Sequence, residues 1–299
     1  YALAMKRSVH GPASSPFVEE REDLGGVSVQ KATGAYYTPD PVVRSLVNWA
    51  VRRASDRLLD PSCGDGRFLA VHPNSVGVEQ DPSACQIVHE RAPGSLIHQG
   101  DFFSWASVTH ERFECAAGNP PFIRYQRFTG AMRDTAQRLC QQHGASFSSL
   151  SSSWAPFLVA TASLLKRGGR MAFVVPAEIG HAPYATPVLD FMTRRFDRVQ
   201  VIAVREKLFP ELSEDCWLLY ADGFGGATSE VQFTPLDRFE FCIRPPQEGL
   251  LLSVDEWKRW NGRLRPFLLS ADARRLYAEA SKSQRTKRLG EVARVGIGY

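Results

Sequence analysis

Short apolar runs about 15 to 25 residues apart, separated by helix-patterned segments, constrain this chain more than any other feature. The first four are 57–60, 75–79, 95–98 and 113–117; a fifth runs from Arg170 to Pro176, and two more follow at 198–204 and 216–220. Strands alternating with helices at that spacing predict an α/β protein with a doubly wound, mostly parallel sheet. A helix is expected at the head of the series, where Val42, Val43, Leu46, Val47 and Ala50 recur at helical spacing and Pro41 suits a first turn. A second long helix is expected from Ala155 to Lys166. Residues 1–30 read as a flexible lead-in, with Met5 the expected native start just behind Tyr1. Six serines in the eight residues Ser146 to Ser153 predict a mobile loop.

Hydrophobic residues make up 43% of the 299 and charged residues 23%, which excludes a disordered or collagen-like chain. No apolar run reaches the 18 residues of a membrane helix, and residues 1–10 lack the apolar core of a signal peptide. The six cysteines are scattered without a C-x-x-C pair, which argues against zinc and a disulfide framework and for a reducing, cytoplasmic setting. The net charge of +4 is unevenly spread. From Trp257 to Tyr299 eleven Lys or Arg face Asp272, Glu279 and Glu291, a local +8 that leaves −4 on the rest. A basic tail on a slightly acidic body suits a polyanion binder, and equally a solvated helix face.

Four motifs lie where strands end. Asp60-Pro61-Ser62-Cys63-Gly64-Asp65-Gly66-Arg67-Phe68-Leu69 stands at a strand-to-helix turn, and its two glycines let backbone pass close to a ligand. Leu69 replaces the third glycine of a dinucleotide fingerprint and no Lys follows Gly66, so the ligand suggested is a nucleoside without a pyrophosphate. Glu79 ends the second strand, where a carboxylate can accept from both ribose hydroxyls. Gly100-Asp101-Phe102-Phe103 follows the third; Asp101 suits an adenine amine and Phe102 its ring, the bland alternative being a helix cap before core aromatics. Gly118-Asn119-Pro120-Pro121-Phe122 follows the fourth. Paired prolines make a rigid extended turn, able to aim the Asn119 side-chain oxygen and the Pro120 carbonyl at both hydrogens of one NH₂ group, with Phe122 as a flat face beside it.

In this order the motifs resemble S-adenosyl-L-methionine-dependent DNA adenine-N6 methyltransferases of the gamma class, from restriction–modification systems. The resemblance covers about Lys31 to Asp222 and implies a Rossmann-like class I methyltransferase fold. It implies cofactor contacts from Tyr37, Thr38 and Pro39 of Gly34-Ala35-Tyr36-Tyr37-Thr38-Pro39, and from Asp60, Ser62, Gly64, Gly66, Glu79, Asp101 and Phe102. It assigns catalysis to Asn119, Pro120 and Phe122, and the target base to Phe122 and, more loosely, Phe209 of Leu208-Phe209-Pro210. Phe122 stands where Tyr is commoner in the family; stacking needs only the ring. The partner implied is double-stranded DNA with one base flipped out, and a separate restriction or recognition subunit is allowed for. No metal is required. The domains expected are a lead-in at 1–30, a catalytic domain at 31–240, and at 241–299 a basic linker and the start of a target-recognition domain that is cut short.

Two rivals share the chemistry, since a protein glutamine and an RNA adenine also present a planar NH₂ group. A nucleic-acid-binding module that kept the fold but lost activity is a third. Tyr36-Tyr37-Thr38-Pro39 and the basic tail favour DNA. A nuclease is not expected, because the one E-x-K string, Glu256-Trp257-Lys258, reads as helical.

Overall fold

The computed structural model describes residues 38–124, 126–148, 151–210, 214–287 and 289–294. Tyr36, Tyr37, Tyr125, the lead-in at 1–30 and Val295 to Tyr299 lie outside the described residues.

Helix α1 (Asp40–Ala50) opens the described chain, with Pro41 in its first turn and its apolar face fully buried. A strand–helix alternation follows: β1 (Leu58–Asp60), α2 (Arg67–Val71), β2 (Ser75–Glu79), α3 (Pro82–Arg91), β3 (Leu96–Gln99), α4 (Phe102–Val108) and β4 (Phe113–Gly118). Next come α5 (Gly130–Gln142), α6 (Trp154–Ser163), β5 (Leu165–Pro176), α7 (Thr186–Arg195), β6 (Phe196–Val204), β7 (Cys216–Phe224) and β8 (Glu230–Leu236). The described chain ends with β9 (Leu250–Ser253), α8 (Val254–Arg259), α9 (Ala271–Lys282) and α10 (Leu289–Val292).

The strands form one sheet in the order β3-β2-β1-β4-β5-β7-β6-β8-β9. The first five are parallel neighbours. β7 runs antiparallel to both β5 and β6, between which it sits. A strand that returns directly beside its predecessor must be antiparallel, since only a crossover restores the direction. All of β1 is buried, and so are the last six residues of β5, as expected of strands covered on both faces. Side chains alternate between faces along the end of β4, where Ala116 joins the cluster under α4, α5, α6 and α7 while Cys115 and Ala117 join the cluster under α1; a register shift between Phe113 and Cys115 turns Phe113 to the Ala116 side.

Two features differ from expectation. The Ser-rich stretch is packed rather than loose at its end, for Ser151, Ser152 and Ser153 are all buried. The body also continues past residue 240. β9 pairs with β8, while Trp257, Leu264 and Phe267 are buried in the main core. The basic residues around them lie at positions the apolar ones do not use, so composition alone reads the whole stretch as linker. By contrast α9 buries no residue. No helix among the described residues is long and apolar enough to cross a membrane.

Candidate active site

The strand order reverses between β1 and β4, and in an open α/β sheet the crevice beyond the carboxyl ends at such a point is where ligands bind. Register places Leu59 beside Ala116, so Asp60 ends β1 level with Ala117, with its carboxylate against Gly118 at the end of β4. The Asp60 carboxylate is 1% exposed. Its Oδ1 accepts from the Ser62 N–H at 3.1 Å, while its Oδ2 has no partner among the described residues. Burial, only partly offset by the hydrogen bond from Ser62 and helped by smaller repulsions from Glu79 and Asp65, pushes its pKa up to about 8. Gly118 is what makes room for it. A Cβ there would lie 2.7 Å from Asp60 Oδ1 and 3.1 Å from the Phe173 ring. Gly118→Ala is therefore expected to cost about 1–3 kcal/mol by overpacking, read as a lowered melting temperature; an unchanged one would mean that the ends of the two strands are packed more loosely than this.

The turn after β1 is held open by two glycines in left-handed backbone, Gly64 at φ +53° and Gly66 at φ +80°. The Gly64 N–H donates to Glu79 Oε2 at 2.9 Å, and Glu79 Oε1 accepts from the Gln80 and Asp81 N–H groups at 2.8 Å. Glu79 thus ties the loop to the end of β2, and a Cβ on Gly64 would meet open space. Cys63 is a buried filler facing Gly77, as its sequence setting suggests, and burial pushes its thiol well above the ordinary range. Asp65, which carried no role in the sequence, is gripped by Arg67 and Arg91, and Arg91 also donates to its carbonyl at 2.8 Å. The loop is braced from behind.

Asn119 closes the crevice. Its Nδ2 donates to Thr38 Oγ1 at 3.2 Å, and its carbonyl accepts from Ser62 Oγ at 3.4 Å. Thr38 is 3% exposed, just ahead of α1, whose first turn is capped by the Pro39 carbonyl. With its amide nitrogen so engaged, Asn119 is left with a buried side-chain oxygen that has no partner among the described residues. Pro120 is buried and Phe122 half-buried at the rim of both core clusters. The structure therefore brings Thr38, Asp60, Ser62, Gly64, Glu79 and Asn119 together.

Some expected residues do other work. Asp101 caps α4, its Oδ1 accepting from the Ser104 N–H and Oγ, both at 2.8 Å. Phe102 is 3% exposed and stacked on Phe157 with ring centroids 5.1 Å apart, so it is a core ring and not an open face. Phe209 is likewise buried, in the cluster under α1, and offers no free face to a base. Each stands beside a turn-forming residue, Asp101 before Phe102 and Pro210 after Phe209, and nothing in such a pattern distinguishes a core aromatic from a stacking one. Arg124 pairs with Glu214 at 2.9 Å. His181 is half-buried beside the Ala177 carbonyl, and burial lowers its pKa. Glu256-Trp257-Lys258 is helical as expected, with Trp257 fully buried.

Sequence reading missed a polar group beside the Asn119 loop. Ser153 touches the loop directly, and Tyr184 lies behind it. The Tyr184 hydroxyl donates to Glu178, accepts from the Trp154 indole at 3.2 Å and lies 3.2 Å from Ser152 Oγ. The only signal for Ser153 was its place just ahead of a strongly apolar helix, Trp154–Ser163. At the amino-terminal edge of the sheet, away from all of these, a cavity of about 820 Å³ is rimmed by Arg52, Arg170, Arg198 and Arg244. No residue expected in the site lines it.

Comparison with known proteins bears on this geometry. Residues 77–209 match the family described as Eco57I restriction-modification methylase, and residues 27–88 match N-6 DNA Methylase. The chain is 26% identical over 182 residues to the Type II methyltransferase M.CvrRI of Paramecium bursaria Chlorella virus XZ-6E, covering 59% of this chain and 45% of that protein. It is 29% identical over 163 residues to the Type II methyltransferase M.XamI of Xanthomonas campestris pv. amaranthicola, covering 48% and 30% respectively. The chain thus spans less than half the length of these curated relatives. Among solved structures, the type IIG restriction endonuclease BpuSI superposes with a TM-score of 0.63 at 14% identity, covering 82% of this chain and 34% of that one. The fold is that of the class I methyltransferases.

Proposed function

We propose that this chain, which belongs to the N6-adenine DNA methylases of restriction–modification systems, transfers a methyl group from S-adenosyl-L-methionine to the exocyclic N6 of an adenine flipped out of double-stranded DNA. The observation that carries the reading is the buried Asn119 Oδ1, oriented by Thr38 and without a partner among the described residues, at the end of the strand neighbouring that of a second such oxygen, Asp60 Oδ2. Buried polar atoms are nearly always paired. Two orphaned acceptors at one switch point suit a ligand and a substrate that both bring N–H groups.

The residues present fit the cofactor. Asp60 would receive its ammonium group, Gly64 and Gly66 would let it lie against the loop, and Glu79 would exchange backbone donors for the ribose hydroxyls. Asp101 keeps Oδ2 outside its helix cap and would meet the adenine. Tyr37 and Pro39 are assigned to the same cofactor by resemblance. When bound, the cofactor supplies an electrophilic methyl group on a sulfonium centre.

The chain's own residues position the acceptor. The target amine is paired and out of reach in a duplex, so the base must leave the stack at a cost of a few kcal/mol. Stacking on Phe122, at about 1–3 kcal/mol per base, offsets much of that. The adenine N6 is a poor nucleophile because its lone pair is delocalised into the ring. Hydrogen bonds from N6 to Asn119 Oδ1 and the Pro120 carbonyl favour a pyramidal nitrogen and aim that lone pair in line; the work is orientation and electrostatics. The proton leaves N6 for water after alkylation. The exposed basic residues of α9 and beyond are assigned to DNA backbone and to the beginning of a recognition domain, with a separate restriction or recognition subunit as a further partner. The reading places the protein in the cytosol with the DNA.

The test is nucleoside mass spectrometry on unmethylated DNA incubated with the protein and isotopically labelled cofactor. Labelled N6-methyladenine is expected. Cofactor binding without label in DNA would move the assignment to a protein glutamine or RNA adenine acceptor, and absence of cofactor binding would reduce the chain to a nucleic-acid-binding module.

A further inference from the structure

Ser153 stands immediately ahead of α6 (Trp154–Ser163). A serine there ordinarily turns its hydroxyl onto the helix's own first amides. Ser153 does not; it has no side-chain capping bond. The residue is fully buried, yet its polar side-chain atom faces the turn after β4. Its Oγ donates to the Pro121 carbonyl and accepts from the Ile123 N–H at 3.0 Å, while its own N–H donates to the Ile123 carbonyl at 3.0 Å. The Pro121 carbonyl belongs to the peptide plane before Phe122, and the Ile123 N–H to the plane after it. One hydroxyl therefore fixes both planes that flank Phe122, and with them the backbone angles that set the direction of its ring. Pro120 and Pro121 stiffen the turn only on its amino-terminal side. On the other side the described chain leaves the turn through residues 123–124, both part or fully exposed, so the serine supplies the restraint that the prolines cannot.

We infer that Ser153 is a positioning residue for methyl transfer, holding Phe122 in the orientation that receives the target base. The inference rests on the function proposed above. It predicts a division of effects: cofactor is held at Asp60 and Glu79, away from Ser153, so loss of the hydroxyl should spare cofactor affinity and slow transfer once both substrates are bound.

The experiment compares Ser153→Ala, Ser153→Val and Ser153→Thr in the full chain. Val and Thr have nearly the same shape, so their difference isolates the hydroxyl even if the added methyl group perturbs the packing. Single-turnover transfer of labelled methyl to unmethylated DNA is measured, with cofactor affinity by calorimetry and hydrogen exchange at the Ile123 amide. Expected are a transfer rate about ten- to a hundredfold lower in the Ala and Val variants, cofactor affinity within about twofold of the parent, faster exchange at Ile123, and recovery of rate and protection in Thr relative to Val. Equal rates in Thr and Val, or an Ile123 amide as protected in Ala and Val as in the parent, would overturn the inference. If the parent protein itself binds cofactor but labels no DNA, the proposed function fails, and the exchange measurement alone then decides whether Ser153 holds the turn.

Discussion

Asn119→Ala is expected to lower methyl transfer to DNA by about a hundred- to a thousandfold, the range found when one preorganised hydrogen-bonding group is removed from a reacting centre, while leaving cofactor affinity within about threefold. The split follows from the geometry. The Asn119 side chain contributes one anchored nitrogen, on Thr38, and one buried oxygen with no partner among the described residues. The cofactor-side contacts are assigned in the proposed function to Asp60, Gly64 and Glu79, none of which accepts from or donates to that side chain. Asn119→Asp keeps an acceptor in the same place but gives up the N–H that anchors on Thr38. Its rate is expected between those of the parent and the Ala variant. Single-turnover rates with calorimetric affinities for all three chains check the order. An alanine variant within tenfold of the parent would remove Asn119 from the chemistry and the proposed function with it.

The part of this site that could be read in the sequence is the part written as backbone. Asp60, Gly64, Gly66, Glu79 and Asn119 all stand at strand ends, where turn residues have few other reasons to occur in that order, and the sheet brings them together because β1 and β4 are neighbours. The antiparallel β7, the added β8 and β9, and the burial of residues around Trp257 were less visible. They depend on which strand lies beside which, and that is decided by tertiary packing and not by local periodicity. The aromatic assignments fared worst. Phe102 and Phe209 occupy positions where a stacking ring and a core ring have the same sequence surroundings, and both are core rings. Ser153 was hidden for a related reason: serine-rich composition predicts loops, whereas the direction in which one hydroxyl points is a property of the packed helix.

Asp60→Asn is expected to stabilise the free protein and weaken cofactor binding, and both effects should grow as pH rises from 5 to 8. Asp60 titrates near 3.8 in the unfolded chain and at about 8 in the native state. Between those values the native state holds a proton that the unfolded chain has released, so stability falls with rising pH by up to about 1.4 kcal/mol per unit. Asparagine has no proton to lose. The variant should therefore unfold at higher temperature than the parent, with a gap that widens toward pH 8 and then levels. Binding runs the other way. A cationic group on the ligand favours the ionised carboxylate, so the parent should release a proton on binding cofactor near pH 7 and bind more tightly as pH rises toward 8. Losing that charge-assisted bond, at about 1.5–3 kcal/mol, should weaken affinity about ten- to a hundredfold at pH 8 and abolish the proton release. Calorimetric titrations in buffers of different ionisation enthalpy read the proton directly. A parent protein that takes up or releases no proton on binding would mean that Asp60 does not meet the cofactor's charge, and that its unpartnered oxygen serves the fold or the target base instead.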